Sequence, residues 1–137
     1  MNLVLDASMT IAWLFPDERT QLTQTTLRQV AVEGAMVPTI WRLEVANVMR
    51  NAVRRGHCDD QYAERSLRRL NRLRIIVDGE TDSQAWGATR ELSRAHDLIL
   101  YDAAYLELAV RRRQVLVSQD TALLKAARTI GLDVIGG

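Results

Sequence analysis

Short apolar runs that stop at a polar residue and give way to helix-periodic segments recur along this chain, and that alternation restricts its fold more than any other feature. Asn2-Leu3-Val4-Leu5 breaks at Asp6-Ala7-Ser8, which reads as a buried parallel strand feeding a helix. Helical spacing through Ile11, Ala12, Leu14 and Phe15 stops at Pro16, which cannot continue a helix interior. A second helix is predicted from about Glu18 to Val32, with Leu22, Leu27 and Val30 on its inner side and Gly34 as its stop. Ala35-Met36-Val37 follows as strand two, and Val45, Val48, Met49 and Ala52 recur at helical intervals between Trp41 and Arg55. Asp59 or Asp60 caps a further helix that turns Tyr62, Leu67, Leu70 and Leu73 inward; Arg74 to Val77 is strand three. Ala85, Ala88, Leu92 and Ala95 mark one helix and Tyr101 to Arg112 another. Val115-Leu116-Val117 is strand four, a helix with Leu123, Leu124, Ala127 and Ile130 ends at Gly131, and Val134-Ile135 forms a short last strand. Strands alternating with helices predict an α/β fold: a three-layer α/β/α sandwich around a mostly parallel central sheet.

The 137 residues, 47% hydrophobic and 26% charged, match one globular core, and no repeat or linker divides them, so a single domain over residues 1–137 is expected. Cys58 is the only cysteine and cannot form an internal bridge. The N-terminus lacks the basic flank and apolar stretch of a secretory signal, and no apolar run approaches the roughly 20 residues needed to span a bilayer. A cytoplasmic protein with no membrane role is expected. Net charge is only +1, but the basicity is local: Arg50, Arg54, Arg55, Arg65, Arg68, Arg69, Arg72 and Arg74 are opposed in that stretch only by Asp59, Asp60 and Glu64. Such a run suits phosphate, though a charge run is more often a solvated helix face.

In open α/β sheets ligands bind beyond the carboxyl ends of the strands. Four acids fall at such junctions: Asp6 after strand one, Glu44 in the helix after strand two, Asp102 in the first turn of a late helix, and Asp120 after strand four. Each could simply cap a helix and complement its dipole. Glu44 and Asp102, however, have apolar neighbours on both sides, and carboxylates brought together do not all stay ionised unless a cation intervenes. Oxygen-only ligation selects Mg2+ or Mn2+, whereas zinc prefers the Cys and His ligands this chain scarcely offers. A few carboxylates without a basic partner fit phosphoryl-transfer chemistry in which a metal, rather than a side chain, activates water. His57 and His96 lack the paired placement of acid–base nucleases, and no Gly-rich phosphate loop is present.

The segments Val4-Leu5-Asp6-Ala7-Ser8, Glu44-Val45-Ala46-Asn47, Leu100-Tyr101-Asp102-Ala103-Ala104-Tyr105-Leu106 and Leu116-Val117-Ser118-Gln119-Asp120 resemble, in order and spacing, the successive motifs of PIN-domain ribonucleases. The similarity is greatest to the VapC-type toxins of bacterial type II toxin–antitoxin pairs, particularly through Ala12-Trp13-Leu14 and Pro16-Asp17-Glu18. The resemblance implies that Asp6, Glu44, Asp102 and Asp120 are catalytic and hold one or two Mg2+ or Mn2+ ions. It also implies that Ser8, Asn47 and Ser118 support them, serine standing at 118 where the family often has threonine. Family members cut structured RNA such as tRNA or rRNA, are silenced by a cognate antitoxin lying along a groove, and commonly form homodimers.

The expected activity is therefore endoribonucleolytic hydrolysis of phosphodiester bonds, leaving a 5′-phosphate. The alternative is a catalytically inactive PIN-like module that binds RNA or antitoxin. An aspartyl-phosphate phosphatase would need an acid where Ser8 stands, and a receiver domain would need paired early acids and a late sheet lysine, which Lys125 inside the last helix does not supply.

Overall fold

The computed structural model describes residues 2–137 and arranges them around one five-stranded sheet, in the order β3-β2-β1-β4-β5, every pairing parallel. The strands are β1 (Leu3–Leu5), β2 (Ala35–Val37), β3 (Ile75–Val77), β4 (Val115–Val117) and β5 (Val134–Ile135). The helices are α1 (Ala7–Leu14), α2 (Gln21–Glu33), α3 (Trp41–Arg54), α4 (Asp60–Leu70), α5 (Thr81–Gln84), α6 (Ala88–His96), α7 (Leu100–Arg112) and α8 (Thr121–Ile130). A 3-10 turn, Pro16–Glu18, separates α1 from α2, the break proline imposes. The three-layer α/β/α sandwich is as the alternating sequence pattern predicts, and its sheet is parallel throughout. No helix among the described residues is long and apolar enough to cross a membrane.

Burial follows strand position. Central β1 is sealed on both faces, Leu3, Val4 and Leu5 being at most 1% exposed, which is why it is an unbroken apolar run. Edge strand β3 leaves Ile76 and Val77 exposed. Helix α7 is the most deeply packed: Ala103 through Ala109 are all buried, and its small alanines let it lie close on β1 and β4. Gly34, at the end of α2 with φ +77°, cannot be replaced without strain, because a Cβ there would lie 2.7 Å from the Arg74 carbonyl oxygen.

Three helix faces differ from the periodicity reading. In α2 the buried residues are Thr23, Thr26 and Val30, while Leu22 is exposed; the Thr23 carbonyl accepts the Trp13 indole N–H at 2.9 Å. The threonines are accommodated because Thr26 returns its hydroxyl to the Leu22 carbonyl and Thr23 to the Thr20 carbonyl. In α4 Ala63, Ser66 and Leu70 face the core and Leu67 sits on its flank. The single helix expected around Ala85–Ala95 is two, α5 and α6, interrupted at Ala85–Gly87, where glycine disfavours continuation. Thr89 is the buried residue of α6, and Ala88 and Ala95 are exposed.

Candidate functional site

Parallel strands place their carboxyl ends on one edge, so the junctions after β1, β2 and β4 meet there. Asp6, Ser8, Glu44, Asn47, Asp102 and Asp120 line a common cleft of about 270 Å3, together with Ala7, Ile11 and Val48. No basic residue lines it. Of the seven residues singled out in the sequence, only Ser118 is outside this lining; it is fully buried behind Asp6.

The geometry separates these acids from helix caps one by one. Asp6 occupies the N-cap position of α1, yet its side chain makes no cap hydrogen bond. Its Oδ2 instead accepts the Ser8 hydroxyl at 2.6 Å and the Ser118 hydroxyl at 2.7 Å. Both hydroxyl protons are directed by their other contacts: Ser8 Oγ accepts the Gln119 N–H and Ser118 Oγ accepts the Asp120 N–H, each at 2.9 Å. Glu44 lies in the first turn of α3 but takes its hydrogen bond from the Tyr105 hydroxyl of α7, at 2.6 Å. Asp120 does cap, its Oδ1 accepting the Leu123 N–H at 3.0 Å. Among the described residues Asp102 makes no side-chain hydrogen bond or ion pair, and Asn47, exposed on the cleft wall, makes no side-chain hydrogen bond.

These surroundings resist ionisation. Burial pushes the Asp6 carboxyl up, against its serine donors. Burial likewise raises Glu44, partly offset by the Tyr105 hydroxyl. Asp102 is raised to about 7, by burial first and then by repulsion from Asp120, Asp6 and Glu44. Tyr105, at 0% exposure, is raised by burial and by the Glu44 charge, so it remains a protonated donor.

The donor set suits a hard divalent cation: carboxylate oxygens from four separate elements, no cation of the protein's own, and an acid whose charge its neighbours oppose. It is not a finished cage. No three His, Cys, Asp or Glu side chains among the described residues converge tightly enough to hold an ion as they stand. Each anchored acid instead leans on its own partner: Asp6 on two serine hydroxyls, Glu44 on Tyr105 and Asp120 on the Leu123 N–H.

Sequence reasoning did not single out three residues that shape this edge. Tyr105 is one turn beyond Asp102, on the same helix face, and that spacing was its only signal. Thr10 donates to the Asp6 carbonyl at 3.3 Å and accepts the Trp41 indole N–H at 3.0 Å, linking α1 to the start of α3. Asp78, after β3, is a further acid and a buried one, but it is held by Arg111 at 2.6 Å and Arg112 at 3.0 Å and lies outside the cleft lining. These guanidiniums hold it down to about 2.

The arginine-rich stretch is divided by the fold. Arg68 pairs with Glu64 at 2.8 Å, and Arg74 donates to the Glu33 carbonyl at 2.9 Å. Arg55 lines, with His57, Asn51, Asp17 and Glu18, a trough of about 660 Å3 that shares Ile11 and Val48 with the acidic cleft. A separate apolar groove of about 390 Å3 runs between α3 and α4, lined by Trp41, Val45, Leu67 and Leu70 among others, and contains none of the seven residues.

Solved structures share this architecture. PAE2754 from Pyrobaculum aerophilum superposes with a TM-score of 0.72 at 22% identity, over 98% of this chain and 91% of that one. VapBC2 from Rickettsia felis, bound to a DNA fragment from their promoter, gives 0.71 at 16% identity, over 100% and 99%. A toxin–antitoxin complex from Klebsiella pneumoniae gives 0.58 at 18% identity, over 87% of each chain. At these identities the likeness establishes the fold. No curated protein sequence matches the chain. The family model described as PIN domain matches residues 3–129, nearly the whole sheet and every helix but the last residue of α8, and the chain therefore belongs to the PIN domain family.

Proposed function

We propose that this PIN domain is a divalent-metal-dependent endoribonuclease toxin of a toxin–antitoxin pair, cutting phosphodiester bonds of structured RNA. The observation that carries the reading is the cleft itself: four carboxylates from four elements, no basic residue among them, and Asp102 raised to about 7 by burial and then by its acidic neighbours. Asp6, Glu44, Asp102 and Asp120 would hold Mg2+ or Mn2+. When bound, such an ion supplies Lewis-acid stabilisation of the entering and leaving oxygens of an in-line displacement.

The remaining work falls to the chain's own residues. Ser8 and Ser118 fix Asp6 through one oxygen, Oδ2, and neither takes Oδ1. Asn47 supplies an unengaged amide on the cleft wall for substrate or solvent. Arg55 and His57, in the trough continuous with the cleft, are placed to meet the RNA backbone beyond the cut.

The apolar α3–α4 groove is the seat we assign to a segment of the cognate antitoxin, in keeping with the complexes formed by structurally similar chains. Exposed Leu43, Ile99, Leu100 and Tyr101, next in sequence to Glu44 and Asp102, suit the expected homodimer contact. The second reading, a PIN-like module without activity, requires a damaged site, and the four acids argue against it. Incubation of purified protein with structured RNA, with and without chelator, decides between them: chelator-sensitive cleavage leaving 5′-phosphates is expected, and its absence in Mn2+ would remove the enzymatic reading.

A further inference from the structure

The contact between α7 and α3 assigns a role to a side chain that the proposed chemistry leaves unused. We infer that Tyr105 is a positioning residue for Glu44: its hydroxyl holds Glu44 Oε1 at 2.6 Å and thereby presents Oε2 to the cation in the cleft. The inference rests on the metal-nuclease reading above. Glu44 sits in the first turn of α3, where a glutamate has several rotamers and an N-terminal backbone to satisfy. Its side chain makes no cap hydrogen bond, and Tyr105 is that side chain's one hydrogen-bond partner among the described residues. The donor is as rigid as the fold allows. Tyr105 is 0% exposed within the core, on a helix buried from Ala103 to Ala109.

That one hydroxyl thus joins two elements that contribute acids: α3 through Glu44, and α7, its own helix, which carries Asp102. The same division of labour appears at Asp6, where Ser8 and Ser118 both take Oδ2 and neither takes Oδ1. In each case the hydroxyl donors take one carboxylate oxygen and leave its twin to other partners, so a ligand is oriented before the cation arrives. Partners of this kind around metal ligands typically carry about 10–100-fold in affinity.

Mn2+ binding to the metal-free protein, followed by calorimetry and by the loss of free-ion electron paramagnetic resonance signal, tests the inference without reference to activity. Tyr105→Phe keeps the ring that fills the core and removes the donor. It is expected to weaken Mn2+ about 10-fold or more while the chelated protein melts within about 3 °C of the parent. In a Glu44→Gln background the same substitution is expected to cause no further loss, because the ligand it orients is already gone. Unchanged Mn2+ affinity in Tyr105→Phe overturns the inference. So does an equal loss in the Glu44→Gln background, which marks a general packing effect. A parent protein that takes up no Mn2+ overturns the metal-nuclease reading itself, and that result is read from the parent alone.

Discussion

Ser118 Oγ donates to Asp6 Oδ2 at 2.7 Å while accepting the Asp120 backbone N–H at 2.9 Å, so one fully buried hydroxyl couples the acid after β1 to the acid after β4. Ser118→Ala removes both contacts and leaves a 3% exposed carboxylate with one donor fewer. The expected cost is about 1–3 kcal/mol at neutral pH, seen as a lower urea midpoint with an unchanged slope. Ser118→Thr, which retains the hydroxyl, is expected to recover most of it. A serine-to-alanine protein as stable as the parent would show that the coupling contributes nothing.

Asp102→Asn is expected to abolish divalent-dependent RNA cleavage and to stabilise the metal-free fold at pH 8. The stabilisation follows from the environment: an amide in place of Asp102 removes a charge that burial penalises and that Asp120, Asp6 and Glu44 repel. Discounted for its partial exposure, the gain is about 1 kcal/mol, or about 3–5 °C in melting temperature. Undiminished cleavage by this variant would falsify the assignment of Asp102.

The pH profile of the chelated protein carries the same information with a definite sign. Asp102 in the folded protein titrates near 7, above its ordinary value of 3.8, so between those limits the folded state holds more protons than the unfolded chain. Stability is therefore greatest below the unfolded value and declines as pH rises through this window, levelling above about 7. Asp6 and Glu44, raised in the same direction, steepen the decline. Saturating Mn2+ at pH 8 is expected to restore the lost stability, because it binds the ionised folded form. A flat profile in chelator between pH 4 and 7, measured by thermal melting, contradicts this.

Asp78 behaves oppositely. Its folded value near 2 is below the ordinary 3.8, so its stabilising contribution is present above the unfolded value and is lost as pH falls toward 2. Arg111 is its main partner and also holds Glu107 at 2.7 Å. Arg111→Ala leaves Asp78, with a fully buried side chain, and nearly buried Glu107 short of their counter-charge. A loss of about 3 kcal/mol at pH 7 is expected by denaturant titration, with the difference from the parent shrinking in acid.

Arg55 and Arg68 separate RNA contact from surface charge. Measured as RNA binding by Asp102→Asn protein across a salt series, Arg55→Ala is expected to lower the logarithmic salt slope by about 0.7–0.9. Arg68, exposed and already paired with Glu64, is expected to change it far less when replaced by alanine. Equal effects of the two substitutions would remove the trough as the RNA path.

What the linear sequence determined is the layered α/β plan and the junctions that carry acids. Apolar runs such as Leu3-Val4-Leu5 and Val115-Leu116-Val117 announce strands buried on both faces, because parallel strands covered by helices leave no polar side. Pro16, Asp59 and Gly131 mark local boundaries for reasons of backbone geometry that need no distant partner. The resemblance of four motifs in series pointed to the PIN family, and the family match over residues 3–129 agrees. Periodicity failed where polar atoms were satisfied within the helix, as at Thr23 and Thr26, and where a single glycine divided a helix, as at Gly87.

Tertiary structure alone decided which acids are caps and which are not. A carboxylate after a strand looks the same in one dimension whether it accepts a helix N–H, as Asp120 does, or turns to a hydroxyl more than a hundred residues away, as Asp6 does to Ser118. It also decided that Glu44 answers to Tyr105, that Asp78 is neutralised by arginines outside the cleft, and that Asp102 has no side-chain partner against its burial and the repulsion around it. Propensity and periodicity act over a few residues, whereas burial, charge crowding and hydrogen-bond choice depend on distances that exist only once the chain has closed on itself.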